Sequence, residues 1–238
     1  MSEPALLAVA HGSADPRAEQ VLDALIARVR SERPDVVAMI AHLGFSDPDV
    51  PTALDSLARQ GFREVVVVPL LLSPAYHATV DLPVALANAA LDHPGLAIRQ
   101  AAVLGPHPLL FDLLRRRLAD ARVEPGAAVV LGAVGTSDAT VNAALADVAA
   151  TLGATIGFAS GTPAIADVVT GLRAGGARQV AVATYVIAPG QLVDRLYDAG
   201  ADVVTDVLGA APELVDLVLH RYDAALSATT VAGMLAAG

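Results

Sequence analysis

The sequence contains the same succession of strand-like and helix-like patterns twice. Four apolar runs in the first half are separated by longer stretches with helical spacing, and these runs are ALLAVAH (5–11), VVAMIAHL (36–43), EVVVVPLLL (64–72) and LAIRQAAVL (96–104). The second half repeats the order with AAVVLGAV (127–134), ATIGFA (154–159), QVAVATYVI (179–187) and ADVVTDVL (201–208). Apolar strands joined through helical crossovers predict parallel sheets covered by helices on both faces. The fold class predicted is therefore α/β, with two similar doubly wound parallel-sheet domains.

The repeat also fixes the expected domain boundaries. Individual residues coincide between the halves: Gly61 aligns with Gly176 and Pro74 with Pro189. Pro125 and Gly126 interrupt the pattern at the joint. We therefore expect an N-terminal domain over 1–124, a duplicated domain over 125–226 and an Ala-rich, frayed or loosely helical tail over 227–238. Two such sheets are expected to face each other across a cleft, with ligands at the carboxyl ends of the strands.

Composition excludes several classes of function. The formal net charge is −10 and all basic residues are arginine, so a positive face for nucleic acid or anionic lipid is not expected. The chain contains no cysteine, which excludes disulfides, thiolate catalysis and cysteine-ligated metals. No apolar stretch reaches the roughly 18 residues of a membrane-spanning helix, and no signal peptide is recognisable. A cytoplasmic protein is expected, without nucleic-acid or membrane partners.

The halves differ at two strand ends. His11 aligns with Val134, and His77 aligns with Leu192. A histidine after a strand is often a capping or packing residue. Two histidines at the ends of strands that can be neighbours make a plausible site for a borderline divalent metal. Because two protein ligands make a poor permanent cage, such a site suits an ion that must be released.

Two motifs around these histidines resemble a known family. HGSADPRA (11–18) follows a strand, and PLLLSPAYHATVDLP (69–83) contains the second histidine. Both motifs resemble those of the class II chelatases, the sirohydrochlorin ferrochelatases and cobaltochelatases, whose long members are also fused duplications. The resemblance implies ATP-independent insertion of a divalent metal into a tetrapyrrole, with His11 and His77 as metal-binding and catalytic residues.

The resemblance implies Fe²⁺ or Co²⁺ as the substrate metal and sirohydrochlorin as the tetrapyrrole partner, in sirohaem or cobalamin biosynthesis. No permanently bound cofactor is expected, and the chain is expected to be a monomer or a homodimer. Two alternatives stay open: a nickel chelatase of the same family, and a non-catalytic carrier of metal or tetrapyrrole.

One position departs from the family pattern. Many relatives carry a glutamate at the end of the second strand, where this chain has AHLG (41–44) with Gly44 in its place. His42 would share a strand face with Gly44 and is a candidate replacement ligand. The alternative is a histidine packed against a helix.

Four further residues near the motifs are candidates. Ser13 lies in the expected N-cap region and could also donate a hydrogen bond to substrate. Arg17 could contact substrate carboxylates. Tyr76 could stack on a flat macrocycle or simply pack. Asp81 could stabilise a helix start or orient His77 from behind the metal.

Overall fold

The computed structural model describes residues 3–236, without the side chains of residues 229–236. It contains eight strands, β1 (Ala5–Ala10), β2 (Ala38–His42), β3 (Glu64–Pro69), β4 (Ala97–Gln100), β5 (Ala128–Ala133), β6 (Thr155–Phe158), β7 (Val180–Thr184) and β8 (Val203–Val204). The α-helices are α1 (Pro16–Glu32), α2 (Val50–Arg59), α3 (Leu82–Asp92), α4 (Pro108–Asp120), α5 (Ala139–Thr151), α6 (Ile165–Ala174), α7 (Gln191–Tyr197) and α8 (Pro212–Ala236). A π-helical turn over His77–Asp81 precedes α3.

The first compact unit is built on a four-stranded parallel sheet in the order β2-β1-β3-β4. The central strand β1 is buried along its whole length, and Leu7 lies between Met39 and Val67. An apolar strand with no polar face needs cover on both sides, which the helices supply. Strands β1 and β3 are neighbours, so the segments that follow them start at the same sheet edge.

The second unit repeats this arrangement with the order β6-β5-β7-β8, again fully parallel. In each sheet, an equivalent backbone hydrogen bond joins the two segments that follow neighbouring strands, β2 and β1 in the first unit and β6 and β5 in the second. Gly44 N–H donates to His11 O at 3.1 Å in the first unit, and Ser160 N–H donates to Val134 O at 2.8 Å in the second. The predicted α/β fold of two similar parallel-sheet domains is confirmed. The last strand of each sheet is shorter than the apolar run that predicted it, because the chain turns away after Gln100 and Val204.

The compact units do not follow the repeat. One consists of Met1–Gly105 with Val215–Gly238, and the other of Pro106–Leu214, whereas the repeat placed the joint at 124/125. Helix α4 belongs to the second unit, where Arg116 forms a double hydrogen bond to Glu213 at 2.7 and 2.8 Å. Helix α8 from Val215 onward belongs to the first.

Helix α8 is anchored within the first unit by side chains near its middle. The Tyr222 hydroxyl donates to Pro4 O at 2.6 Å, and Arg221 donates to Leu104 O at 3.1 Å. Asp223 accepts from Arg33, whose guanidinium also lies over the Tyr222 ring. The tail expected from residue 227 is a helical continuation to Ala236, and residues 237–238 lie outside the described part of the chain. Among the described residues, no helix has the length and hydropathy needed to cross a membrane.

Candidate metal-transfer site

His11 follows β1 directly, at the start of a tight turn into α1. Gly12 adopts a φ of +89°, and a Cβ atom there would overlap the Gly44 carbonyl oxygen. Only glycine combines this backbone conformation with so close an approach. Asp15 then caps α1 by accepting from Arg17 N–H, and Pro16 occupies the first helical turn. The turn holds His11 at the carboxyl edge of the sheet.

His77 begins the π-helical turn beyond β3. In this turn Leu82 N–H donates to His77 O, a hydrogen bond across five residues. The Gln100 side-chain amide, at the end of β4, donates to Ala78 O at 3.0 Å and fixes the turn to the sheet. Isolated π-turns recur at functional sites because they redirect side chains from the regular helical positions. The regular helix α3 starts directly after Asp81, where the sequence predicts a helix start, and the irregular turn over His77–Asp81 precedes it.

The structure brings the two predicted histidines together. The Nε2 atoms of His11 and His77 are 3.1 Å apart, and the rings meet edge to face with centroids separated by 4.3 Å. Neither ring is buried: the His77 side chain is 44% exposed. Both imidazoles therefore present their Nε2 atoms to one point that solvent and ligands can reach.

Asp81 lies behind His77. Its Oδ2 atom is 2.6 Å from Nδ1 of His77, one π-helical turn away. Because a carboxylate only accepts, Nδ1 of His77 must carry the proton. In the neutral ring this leaves a lone pair on Nε2, which is the atom that faces His11.

The protons of the pair can be counted from its contacts. Besides the contacts already described, Nδ1 of His11 lies 3.1 Å from the Gly12 carbonyl oxygen. All three contacts are hydrogen bonds only if the two rings together hold three protons, one more than two neutral imidazoles. A divalent ion entering between the Nε2 atoms would replace the shared proton.

Metal coordination by this pair is geometrically feasible but incomplete. At about 2.1 Å from each Nε2 atom, an ion would see the pair at about 95°, close to two adjacent positions of an octahedron. Within the described part of the chain, no three His, Cys, Asp or Glu side chains are grouped to hold a metal ion. The remaining ligands would be water or substrate nitrogen.

His42 does not complete the pair. Strand β2 ends at this residue and Gly44 lies in the following turn, so the expected common strand face does not exist. The His42 side chain is buried, and burial lowers its pKa. Its Nδ1 atom has no hydrogen-bond partner among the described residues. Its counterpart in the second unit is Phe158, which donates the equivalent backbone hydrogen bond to Pro163 as His42 does to Pro48. The helix-packing alternative fits this position better than the ligand.

Gly44 is open. A Cβ atom at this position would meet no heavy atom of the described residues within 4 Å, so space exists where the family resemblance implies a carboxylate.

Ser13 and Arg17 are engaged within the turn. The Ser13 hydroxyl accepts from Asp15 N–H at 3.1 Å, so Asp15 and not Ser13 is the N-cap of α1. Arg17 donates to both carboxylate oxygens of Asp15, at 3.0 Å from Nε and 2.6 Å from Nη2, which lowers the pKa of Asp15. The Arg17 side chain remains half exposed.

Two exposed aromatic rings flank the histidines. Tyr76 meets His77 edge to face at 6.2 Å between centroids and is 63% exposed. Phe45 stacks on His11 at 5.9 Å with an interplanar angle of 23°, and it is 76% exposed. Sequence reasoning missed Phe45. The available signal was an apolar residue within the turn-forming segment GFSDPD (44–49).

The second unit contains the same glycine turn but has no histidine at the positions equivalent to His11 and His77. Gly135 has a φ of +86° and its Cβ would overlap the Ser160 carbonyl oxygen, as at Gly12. The flanking positions hold Val134 and Leu192 instead of histidine. The imidazole pair is therefore confined to the first unit.

Comparison with known proteins identifies the class and the family. The fold matches SirB from Bacillus subtilis, solved with Fe³⁺, with a TM-score of 0.81 over 93% of this chain and 94% of that one, at 23% sequence identity. This match defines the class by its fold, an α/β protein with two parallel-sheet units. A sequence model of the CbiX family matches residues 5–121. The chain belongs to this family.

Curated relatives carry chelatase names. The sirohydrochlorin cobaltochelatase of Methanococcoides burtonii is 30% identical over 123 residues, which cover 47% of this chain and 92% of that protein. The sirohydrochlorin ferrochelatase of Bacillus subtilis is 30% identical over 138 residues, which cover 58% of this chain and 53% of that protein. The chain spans about half the length of several of the curated relatives it matches.

Proposed function

We propose that this protein inserts Fe²⁺ or Co²⁺ into sirohydrochlorin without ATP. The observation that carries the proposal is the pair of Nε2 atoms 3.1 Å apart on His11 and His77, with Asp81 behind His77. The family membership and the names of the curated relatives support the choice of macrocycle and metals.

In this mechanism the two histidines have different tasks. His77 is oriented by Asp81 with its Nε2 lone pair directed outward, which suits a metal ligand. Among the described residues, no carboxylate lies behind His11, and its Nδ1 atom contacts the Gly12 carbonyl oxygen, which leaves Nε2 as the only ring atom able to accept a proton. We assign His77 to metal binding, and His11 to metal binding and to accepting a pyrrole proton.

Insertion then follows from exchange of ligands around the ion. The ion bound by two imidazoles keeps open positions, at which pyrrole nitrogens replace water. Its charge beside the macrocycle favours loss of the two N–H protons, of which one passes to Nε2 of His11 once the ion has left that atom and the other passes to solvent water. Each macrocycle nitrogen that binds weakens the hold of the imidazoles, so the ion leaves the protein with the product.

Substrate contacts are assigned to the neighbouring side chains. Tyr76 offers an exposed ring face beside His77. The half-exposed Arg17 and the turn at Ser13 lie at the start of α1, where main-chain N–H groups attract carboxylates. We propose further that the protein acts in the cytoplasm as a monomer or homodimer, with no permanently bound cofactor.

The test is the initial rate of insertion, followed by absorbance without oxygen, for Fe²⁺, Co²⁺ and Ni²⁺. Wild type is compared with His11→Ala/His77→Ala, with a protein-free reaction, and with the matched variant Val134→Ala/Leu192→Ala in the second unit. We expect acceleration by the wild type and the matched variant only. Equal rates in all four reactions would refute catalysis, and a preference for Ni²⁺ would identify the nickel enzyme.

A carrier is the second candidate, because Gly44 leaves the pair without a third ligand among the described residues. Such a protein would bind one equivalent of metal or macrocycle and would not accelerate insertion. Gly44→Glu adds a carboxylate at a position where a Cβ atom would meet no heavy atom of the described residues within 4 Å. If the wild type is a carrier that lost turnover at this position, Gly44→Glu should gain insertion activity over it.

A further inference from the structure

We propose that Phe45 is a positioning and binding residue for the macrocycle, forming an aromatic platform beside His11. This inference rests on the proposed function, since it names a further contact of the same site. The ligand it fits is a flat, conjugated macrocycle.

The first argument is the backbone. Phe45 has a φ of +63°, and Ser46 N–H donates to Gly44 O at 2.8 Å across it. This is a γ-turn centred on a residue with positive φ, an uncommon and strained arrangement for a bulky side chain. Glycine or asparagine would occupy it more easily, so nothing in the local backbone favours phenylalanine.

The second argument is that the turn is fixed to the histidine loop on both sides of Phe45. Gly44 N–H donates to His11 O at 3.1 Å. The Ser46 hydroxyl donates to Ser13 O at 3.0 Å. The strained conformation is therefore held in place by the segment that carries His11, so the backbone at Phe45 is tied to that segment.

The third argument is exposure. The chain has only four phenylalanines and four tyrosines, and it keeps large aromatic rings such as Phe158 and Tyr222 buried. Phe45 is 76% exposed and stacks at 23° on His11, with Tyr76 exposed on the His77 side. A ring that contributes little to the core, in a strained turn beside a catalytic imidazole, is suited to contact a ligand. Offset stacking between flat conjugated systems supplies the attraction.

The test measures binding of the metal-free macrocycle by its absorbance, separately from turnover. Phe45→Gly and Phe45→Asn remove the ring but suit the positive φ, so neither strains the fold further. Phe45→Trp restores an aromatic platform. Leu91→Ala is the matched control, because Leu91 is also exposed, at 80%, but lies at the far end of α3.

We expect Phe45→Gly and Phe45→Asn to bind the macrocycle about tenfold more weakly, with a corresponding rise in KM. The affinity for Co²⁺ alone should stay unchanged, and Phe45→Trp and Leu91→Ala should bind as the wild type does. Wild-type macrocycle affinity in Phe45→Gly would overturn the proposal. So would a joint loss of Co²⁺ and macrocycle affinity that tryptophan fails to restore.

The two proposals fail in different ways. If the wild type binds the macrocycle without accelerating insertion, catalysis is refuted and the binding series still decides the role of Phe45. If the wild type accelerates insertion and all Phe45 variants bind the macrocycle with wild-type affinity, only the proposed aromatic platform is refuted. Absence of wild-type binding overturns both.

Discussion

The carboxylate of Asp81 determines which nitrogen of His77 is available to a metal. At 2.6 Å from Nδ1, it retains a proton there and leaves the lone pair on Nε2, the atom that we propose as the metal ligand. The same contact fixes the plane of the ring, since a side chain that is 44% exposed has few other restraints. In the proposed mechanism, Asp81 thus acts on the metal ligand His77 without contacting the ion itself.

Asp81→Asn should therefore weaken metal binding and insertion together. An amide can accept this hydrogen bond but carries no charge to stabilise the N–H it faces, and losses of about 10- to 100-fold are typical for such supporting contacts. Co²⁺ titration and insertion rates would measure the effect, with Asp92→Asn at the other end of α3 as the control. Equal affinities in both variants would show that Asp81 serves only the helix.

His42 makes stability depend on pH. Burial lowers the pKa of this imidazole, with nearby carboxylates opposing the shift, whereas the unfolded chain restores its ordinary value of 6.5. Between pH 6.5 and the lower folded pKa, His42 is protonated in the unfolded state and neutral in the folded state. The free energy of unfolding should then fall by up to about 1.4 kcal/mol per pH unit until the folded pKa is reached.

His42→Phe copies the residue that the second unit has at this position, and it should flatten the pH dependence just below pH 6.5. Urea unfolding at several pH values would measure this, and the converse variant Phe158→His should introduce a similar slope. Co²⁺ affinity should be unaffected in His42→Phe. A large loss of affinity would instead identify His42 as a ligand.

Sequence reasoning located His11 and His77 because both follow strands that the pattern makes neighbours. It left two roles open for His42, a ligand or a histidine packed against a helix, because one residue decides whether a position still lies in a strand, and β2 ends there. The sequence could not identify Phe45 as a candidate site residue. The argument for Phe45 depends on a φ of +63° and on a stacking contact with His11, and neither can be read from the sequence.

At the scale of elements, the same glycine turn is used twice with different outcomes. Gly12 and Gly135 share a positive φ and the same close approach to a neighbouring carbonyl oxygen. The sharp exit from the strand is thus a property of the fold, and the chemistry depends on which side chains stand beside it. This separates the structural role of the turn from its functional role.

Gly12→Ala and Gly135→Ala should both destabilise their own unit. A non-glycine residue forced into this conformation costs about 1–3 kcal/mol, and the overlap with the carbonyl adds to it. Only Gly12→Ala should abolish Co²⁺ binding, because only that turn carries a histidine. Thermal unfolding and Co²⁺ titration of both variants would check this, and loss of binding in Gly135→Ala would contradict it.

At the scale of the whole molecule, the repeat and the compact units are different divisions of the chain. The sequence repeat shows which segments of the chain resemble each other. The compact units show which helices pack on which sheet and stabilise it. Helix α8 buries Leu217, Val218 and Tyr222 completely, and each such side chain contributes about 1.5–3 kcal/mol. Similarity between the halves carries no information about which unit α4 and α8 pack into. The sequence therefore predicted the boundary at 124/125.

Fragments cut at the two sets of boundaries should behave differently. A fragment over 106–214 contains a complete unit and should unfold cooperatively. Fragments over 1–124 and 125–226 should not, since the first lacks α8 and the second lacks α4. Circular dichroism during urea unfolding would measure cooperativity, and a sharp transition in 1–124 would show that α8 is dispensable.

The discontinuity of the first unit has a consequence for biosynthesis. Residues 106–214 are contiguous and can fold while the ribosome is still translating, but β1 must wait for the segment around Tyr222, more than two hundred residues later. The usual order, in which the N-terminal part folds first, is thereby reversed. A nascent chain exposes His11 and His77 on an incomplete scaffold, so the ion-binding capacity proposed for this pair would arise only after the segment around Tyr222 has been made.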